Sequence, residues 1–187
     1  LPDVAADAAA DRVAALLLTG ERRAILLGNA AVQHPQAASL LALANWMAPH
    51  LGAHVGVLGE AANSVGAQLV GALPGPGGLN AGEMLTRPMK ALLLMHVEPV
   101  LDGANAAATR LALSQAGLVV AFTPFRDVAL EHADVLLPVA PFTETGGSFV
   151  NAEGRVQSFH GVVRPLGETR PGWKALRVLG NLLELPG

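Results

Sequence analysis

The chain has 187 residues, of which 51% are hydrophobic and 14% charged, and its formal net charge is −3. This length suits one packed domain, and the charge differs from the basic balance of nucleic-acid-binding proteins, so no nucleic-acid partner is expected. Cysteine is absent, which excludes disulfides, thiolate zinc sites and cysteine-held iron–sulfur clusters within these residues. The small charged fraction predicts that other polypeptide covers part of the surface.

The apolar runs are short. Val13–Leu18 and Ala91–Met95 fall far below the roughly 20 residues of a membrane-spanning helix, so no membrane span is predicted. The chain opens with Leu1-Pro2-Asp3, without Met and without the basic and apolar regions of a signal peptide. We therefore expect a fragment of a longer protein.

Apolar runs alternate with helical patterns along most of the chain. The predicted strands are Ala24–Leu27, His54–Gly59, Ala91–Val97, Leu118–Phe122 and Val135–Leu137. The predicted helices are Asp7–Leu18, Ser39–Met47 (opened by Pro35, ended by Pro49 and Gly52), Glu60–Val70, one or two turns in Leu79–Leu85, Ala104–Ala116 (capped near Asp102 or Gly103) and Asp127–His132. Strands that are apolar throughout and separated by helices are typical of a parallel sheet covered on both faces.

The predicted fold class is therefore α/β: a doubly wound, mainly parallel sheet with helices on both faces. We expect one domain over residues 1–187, with a weak sub-boundary near residue 85 as an alternative, because the Gly- and Pro-rich loop Ala72–Gly78 precedes it.

The C-terminal part departs from this alternation. Ser148–Val150 and Arg155–Phe159 flank Asn151–Gly154, which predicts a β-hairpin in which Gly154 takes a positive φ. A stripe of apolar residues at helical spacing follows Pro171: Trp173, Leu176, Leu179 and Leu183. This stripe predicts an amphipathic closing helix.

The stretch from Ala133 to Phe159 is the most informative about function. An apolar strand that delivers a polar, glycine-bent loop is how open α/β sheets build sites. Arg155 follows the glycine turn, and its guanidinium suits either a bound phosphate or carboxylate or an internal ion pair with Glu153 or Glu144. The residues alone favour the internal pair, so Arg155→Ala is expected to disturb hairpin order and assembly rather than turnover.

Signatures of nucleotide and metal sites are weak. Gly28 is a single glycine after the first strand, where a dinucleotide fingerprint needs Gly-x-Gly-x-x-Gly. His50 and His54 are four residues apart, but Pro49 and Gly52 argue against a helix that would align them. Glu131, His132 and Asp134 are too close in sequence to point the same way.

A nucleophilic triad is also poorly supported. Ser148 and His160 flank the hairpin, with Glu144 and Glu153 nearby, but no Gly-x-Ser-x-Gly elbow is present. Turn capping by these polar side chains remains the simpler interpretation.

Four segments share, in the right order, the patterns of one protein family: Leu27–His34, Gly59–Ala67 with Gly71–Pro74, Leu92–Pro99 and Ala133–Gln157. They resemble the molybdopterin oxidoreductase superfamily, and most of all the large iron–sulfur subunit of bacterial NADH:quinone oxidoreductase, respiratory complex I. In the superfamily such domains hold a molybdopterin guanine dinucleotide through loops at strand ends.

Several positions depart from the family pattern. Thr123 stands where an Asp is common, His96-Val97-Glu98-Pro99 lacks the glycine and asparagine of a Gly-x-Asn-Pro loop, and Val128 replaces the usual Thr. The resemblance therefore implies a non-catalytic domain without catalytic residues, metal ligands or cofactor. The candidates for a vestigial cofactor loop are Gly28, Glu98, Glu144, Asn151 and Arg155.

The resemblance also implies partners and a location. The parent subunit would carry iron–sulfur clusters in a region outside this chain and support electron transfer from NADH to quinone. Its partners would be the rest of its own chain and other subunits of the peripheral arm, at the cytoplasmic face of the inner membrane. Two alternatives remain open: a fragment of an active molybdopterin enzyme of formate dehydrogenase type, and a free-standing nucleotide-binding domain.

Overall fold

The computed structural model describes residues 7–129 and 131–185, and of Val128 and Ala129 it describes only the backbone. Leu1-Pro2-Asp3 and Leu130, the latter inside the predicted helix Asp127–His132, lie outside the described residues. The chain forms two compact units: the residues up to Ala67 with Val150–Arg155, and Gln68–Phe149 with the residues from Val156 onward. Each unit has its own parallel sheet. The predicted extent, one domain within a longer protein, stays a prediction.

The first unit is built on two parallel strands. Its elements are α1 (Ala8–Thr19), β1 (Arg23–Leu27), α2 (Asn29–Val32), α3 (Ala37–Leu51) and β2 (Ala53–Val57), and α4 (Ser64–Leu69) begins in it. β1 pairs with β2 from Arg23 opposite Ala53 to Leu27 opposite Val57. α3 contacts both strands, and Ala44 and Ala48 are its buried positions.

Arg23 ties together the ends of two helices in this unit. Its guanidinium donates to the carbonyl oxygens of Leu18 at 2.6 Å and Gly20 at 2.7 Å, and to that of Leu51. These carbonyls lie at or just beyond the C-terminal ends of α1 and α3, where backbone acceptors lack helical partners and the helix dipole favours a cation.

The sequence predicted that Pro49 helps to end α3, and this prediction is wrong. The helix continues to Leu51, and Gly52 ends it with φ +60°. The last turn still closes, because the Gly52 amide donates to the carbonyl oxygens of Ala48 and Pro49. The predicted role of Gly52 is confirmed, because a glycine takes the left-handed conformation without steric cost.

The second unit contains the larger sheet. Its elements are α5 (Ala81–Met84), β3 (Leu92–Met95), α6 (Pro99–Asp102), α7 (Ala106–Gln115), β4 (Val119–Thr123), α8 (Arg126–Ala129), β5 (Val135–Ala140), a 3₁₀ turn (Phe142–Glu144), β6 (Gly147–Val150, whose last residue belongs to the first unit), β7 (Val156–Phe159), β8 (Arg170–Pro171) and α9 (Gly172–Leu182). The strand order is β3-β4-β5-β8, with every pair parallel, and β6 and β7 form a separate antiparallel hairpin.

The core of the second unit lies around the first strands of its sheet. Leu92, Leu113 and Val119 form a buried cluster, and the side chains of Phe122 and Val139 are each 1% exposed. Asp134 joins the start of β4 to the approach to β5, because its carboxylate accepts from the Val119 amide at 2.8 Å. This carboxylate is therefore used structurally.

The predicted α/β class, the parallel sheet flanked by helices, the hairpin and the closing helix are all confirmed. The five predicted strands are present but lie in two sheets, and β8 was not predicted. α7 is capped by Asn105, whose side chain accepts from the Ala108 amide at 3.0 Å. The predicted cap near Asp102 or Gly103 is wrong, because Asp102 ends α6.

The apolar stripe of α9 is largely exposed. Trp173 is 55% exposed, Leu176 43% and Leu183 59%. The helix therefore forms as predicted, while most of its stripe remains uncovered in this chain. Within residues 7–129 and 131–185, no helix has both the length and the apolar character that crossing a membrane requires.

Candidate functional site

In the first unit, the loops that follow β1 and β2 are joined by a side-chain hydrogen bond. The Gln33 amide donates to Glu60 Oε2 at 2.8 Å. Gly28 caps α2 with an ordinary φ of −90°, and a Cβ added there would meet nothing within 4 Å. Neither backbone conformation nor space within the chain requires a glycine at this predicted site residue.

Asn151 organises the turn of the predicted hairpin. Its side-chain oxygen accepts from the backbone amides of Glu153 at 3.1 Å and Arg155 at 2.9 Å. Gly154 has φ +80°, which confirms the predicted positive φ. This carboxamide oxygen therefore serves the loop itself, as Asn does in many turns.

The predicted internal ion pair of Arg155 is wrong. Of the ion pairs formed within the described part of the chain, none involves Arg155, and its side chain is exposed. Glu144 instead accepts from the backbone amide of Leu166 at 3.0 Å. The turn is held by Asn151, so it needs no pairing by the guanidinium.

The Gly146-Gly147 pair packs closely against Phe159, which leaves little room for a side chain. A Cβ on Gly147 would lie 2.7 Å from the ring of Phe159, and one on Gly146 would lie 3.1 Å from the Phe159 carbonyl oxygen. Phe159 also packs edge to face against Phe149, with ring centroids 5.1 Å apart. The glycines therefore let the start of β6 lie close to Phe159 at the end of β7.

The ends of β3 and β4 carry residues whose polar groups are bonded locally. His96, directly after β3, has φ +50°. The Glu98 amide donates to Asp102 Oδ2 at 2.7 Å, and Thr123 Oγ1 accepts from the Phe125 amide at 3.1 Å. These contacts close the two loops upon themselves.

A cavity of about 540 Å³, here called the strand-end cavity, opens beside these loops in the second unit. Two carboxylates, Glu98 and Asp102, line it together with His96, Thr123 and the hairpin residues Phe149 and Phe159. No lysine or arginine is among the described residues that line it. The walls are otherwise mainly apolar.

The residues present do not match the needs of a guanine dinucleotide. A pyrophosphate is recognised by cationic side chains or by free backbone amides that approach it closely, usually at glycines. The strand-end cavity is lined by two carboxylates, by His96, Thr123 and Thr145 and by apolar residues, the Glu98 amide is already bonded, and no glycine is among the described lining residues. The side chain of Val128 is outside what the structure describes.

The other candidate groups also make local contacts. His50 Nδ1 lies 2.9 Å from the Trp46 carbonyl oxygen, and His132 Nε2 lies 3.7 Å from Glu131. The Ser148 hydroxyl is 2.8 Å from that of Ser158. Across the described ranges, no group of three or more potential metal ligands is brought together.

Sequence reasoning missed the phenylalanines of the strand-end cavity. Four of the five phenylalanines in the chain line it, in a chain that has no tyrosine: Phe125, Phe142, Phe149 and Phe159. Their concentration in segments that follow β4 and β5 was the available signal. They give the cavity an aromatic wall.

The fold and its strand-end loops define an α/β domain of the kind that presents a ligand site at the carboxyl ends of parallel strands. A family model, Molybdopterin oxidoreductase, matches residues 5–182. The chain belongs to the molybdopterin oxidoreductase family, which confirms the predicted superfamily.

Curated relatives match parts of the chain. The Probable oxidoreductase YjgC of Bacillus subtilis is 31% identical over 115 residues, which is 59% of this chain and 12% of that protein. The Putative formate dehydrogenase SAR2393 of Staphylococcus aureus is 33% identical over 72 residues, 38% of this chain and 7% of that protein. A second S. aureus protein, Putative formate dehydrogenase SAB2186c, is 43% identical over 51 residues, 27% of this chain and 5% of its own. The chain thus spans a small part of the length of these relatives.

Proposed function

We propose that this chain is a non-catalytic structural domain of a larger oxidoreductase, the large iron–sulfur subunit of an NADH:quinone oxidoreductase, and that it binds no pterin. The observation that carries the proposal is the chemistry of the strand-end cavity. This cavity presents Glu98 and Asp102, and no lysine or arginine is among its described lining residues.

The electrostatic reason is direct. A carboxylate about 4 Å from a phosphate charge is repelled by roughly 4 kcal/mol at the effective dielectric of a protein surface. Each such contact also leaves phosphate oxygens without the donors that replace their water. His96 adds bulk where a glycine would allow backbone contact.

Exposed apolar side chains support a role in packing. α9 and the residue that follows it present Trp173, Leu182 and Leu183 to solvent, at 55%, 76% and 59% exposure. Surfaces of this kind mark interfaces. The relatives are several times longer than the matched segment, so the rest of the parent protein is a ready source of cover, together with neighbouring subunits of the peripheral arm.

In this proposal the electron-transfer chemistry belongs to iron–sulfur clusters elsewhere in the parent protein. The domain would contribute buried surface and spacing to an assembly at the cytoplasmic face of the membrane. It would contact the rest of its own chain and subunits of that assembly, and no nucleic acid.

A second candidate function has specific support. Two of the relatives named above are called putative formate dehydrogenases, which favours a fragment of an active molybdopterin enzyme. In that case the dinucleotide would be held by groups outside the strand-end cavity.

Elemental analysis of the full-length protein distinguishes the two. We expect iron but no stoichiometric molybdenum or tungsten, and no fluorescence of the oxidised pterin after acid extraction. NADH oxidation coupled to a quinone acceptor, without formate oxidation, would accompany that result. Stoichiometric metal and pterin would instead establish the enzyme and reject the structural role.

A further inference from the structure

We propose that the strand-end cavity binds a small organic cation with an aromatic or branched apolar body. This inference rests on the proposed function, because a cavity that holds a dinucleotide would have no room for such a ligand. It assigns the same place in the fold to a ligand of opposite charge.

The size of the cavity is suitable for a small molecule. Its volume is about 540 Å³, within the roughly 300–1,000 Å³ typical of ligand pockets. It lies at the ends of β3, β4 and β5, the edge at which open parallel sheets bind ligands. Part of its rim is fixed by hydrogen bonds from backbone amides to side-chain oxygens, from Glu98 to Asp102 and from Phe125 to Thr123.

Aromatic rings provide the apolar contacts. Phe125 is 59% exposed, Phe142 77% and Phe149 40%, so these rings keep much of their surface available to a ligand. Phe149 is held by Phe159 at an interplanar angle of 72°. The face of an aromatic ring attracts a cation through its quadrupole, and an ammonium ion within about 6 Å of a ring centroid benefits from it.

The charges select the sign of the ligand. Glu98 and Asp102 line the cavity, and Asp102 is held in place because its Oδ2 accepts from the Glu98 amide. No arginine or lysine is among the described residues that line this cavity, and the arginine to be considered is Arg110, which lines the adjoining cavity that shares Glu98. Carboxylates beside aromatic faces favour a cation and disfavour an anion of the same shape.

The test uses the full-length protein and three fluorescent probes with one shared body: 2-naphthylmethylamine, 2-naphthylmethanol and 2-naphthoate. Their charges are +1, 0 and −1, so differences in fluorescence anisotropy titrations report charge preference rather than shape. We expect the amine to bind with a Kd of about 1 mM or tighter, as suits a fragment of this size. The alcohol should bind about tenfold more weakly, and naphthoate should not bind.

Variants locate the site. Glu98→Gln with Asp102→Asn should remove the tenfold preference for the amine over the alcohol, because both side chains keep their shape and lose their charge. Phe142→Ala should weaken the binding of both the amine and the alcohol. Its control is Val162→Ala, at an exposed residue outside the cavity, which should change the binding of neither. Glu153→Gln, in the hairpin turn, is the control for charge.

Three outcomes would overturn the proposal: equal binding of all three probes, preference for naphthoate, or amine binding that the cavity variants do not change. Absence of amine binding by the full-length protein would also reject it. Metal and pterin content of the same sample tests the proposed function separately. If the protein contains no pterin and shows no charge preference, the proposed structural role stands and only the proposed cation site is rejected.

Discussion

The side-chain oxygen of Asn63 accepts a hydrogen bond from the backbone amide of Val150 at 2.8 Å, across 87 residues of sequence. Val150 is 9% exposed, so its amide has little access to water. Gly66 lies beneath the same carboxamide, and a Cβ added to it would be 2.1 Å from that oxygen. Asn63 and Gly66 therefore act together: the glycine leaves the space in which the asparagine reaches the hairpin strand.

Asn63→Ala should destabilise the first unit by about 1–3 kcal/mol, because it leaves a poorly solvated backbone amide without an acceptor. Urea unfolding measures the loss, and hydrogen exchange at the Val150 amide locates it. Asn63→Asp keeps an acceptor and should lose less. If Val150 exchanges at the same rate in Asn63→Ala and the unmodified protein, the hydrogen bond has no such role.

Gly66→Ala should cost about 1–3 kcal/mol, as expected when a methyl group is inserted into an occupied space. Gly180→Ala is the matched control: it lies in α9, where an added Cβ meets nothing within 4 Å. It should stabilise by about 0.5–1 kcal/mol, because alanine is the better helix former.

The combination of Gly66→Ala with Asn63→Ala tests the cause. The added methyl group conflicts with the Asn63 carboxamide, so removal of that carboxamide should make the double variant less unstable than the two single losses predict. Strict additivity in thermal or urea unfolding would mean that Gly66 is needed for another reason.

Asn151→Ala should disturb the hairpin turn, while Arg155→Ala should leave it nearly unchanged. The Asn151 side chain accepts from two backbone amides, and its loss should cost about 1 kcal/mol. Arg155 contributes only backbone groups to this turn: its amide donates to the Asn151 side chain, and its carbonyl oxygen accepts from the Asn151 amide. Its side chain is exposed, so truncation should change stability by less than about 0.5 kcal/mol.

Amide exchange across residues 147–159 measures the order of the hairpin in both variants. Faster exchange in Arg155→Ala than in Asn151→Ala would restore the sequence-based expectation that Arg155 holds the hairpin. The structure thus assigns the stabilising role to Asn151 and not to Arg155. The sequence could not show this, because an arginine after a glycine turn looks the same whether or not a carboxylate is within reach.

The sequence was a good guide to the elements of the fold because local physics decides them. The strands around Leu94 and Val120 are apolar throughout, as parallel strands covered by helices are, and Gly154 marks a turn that needs a positive φ. β8 could not be predicted, because Arg170–Pro171 carries no pattern and is a strand only through its pairing with Val139 and Ala140.

The candidate site was less predictable, because its meaning depends on distant contacts. Glu144 has the same local sequence whether it binds a ligand or the Leu166 amide. The spacing of apolar residues also could not predict that Trp173 is exposed. An apolar stripe indicates that a helix face packs against something, but it does not tell which polypeptide covers that face. In contrast, the sequence alone is enough to see that His96 and Thr123 differ from the family pattern that the resemblance implies.

His96 gives the last prediction, because it holds a left-handed backbone conformation where the family pattern has a glycine. Its φ is +50°, a left-handed conformation that glycine adopts freely, that asparagine, aspartate and histidine adopt more often than other residues, and that strains a β-branched residue. His96→Gly and His96→Asn should therefore be at least as stable as the unmodified protein. His96→Val should be less stable by about 1–3 kcal/mol, because a branched Cβ crowds the backbone at positive φ.

His54→Val is the matched control, since His54 lies in β2 with an exposed side chain. Valine suits a strand, so this change should be neutral or slightly stabilising. Thermal unfolding of the four variants gives the ranking. If His96→Val is as stable as His54→Val, the backbone at residue 96 relaxes away from positive φ, and the strain assigned to this position is absent.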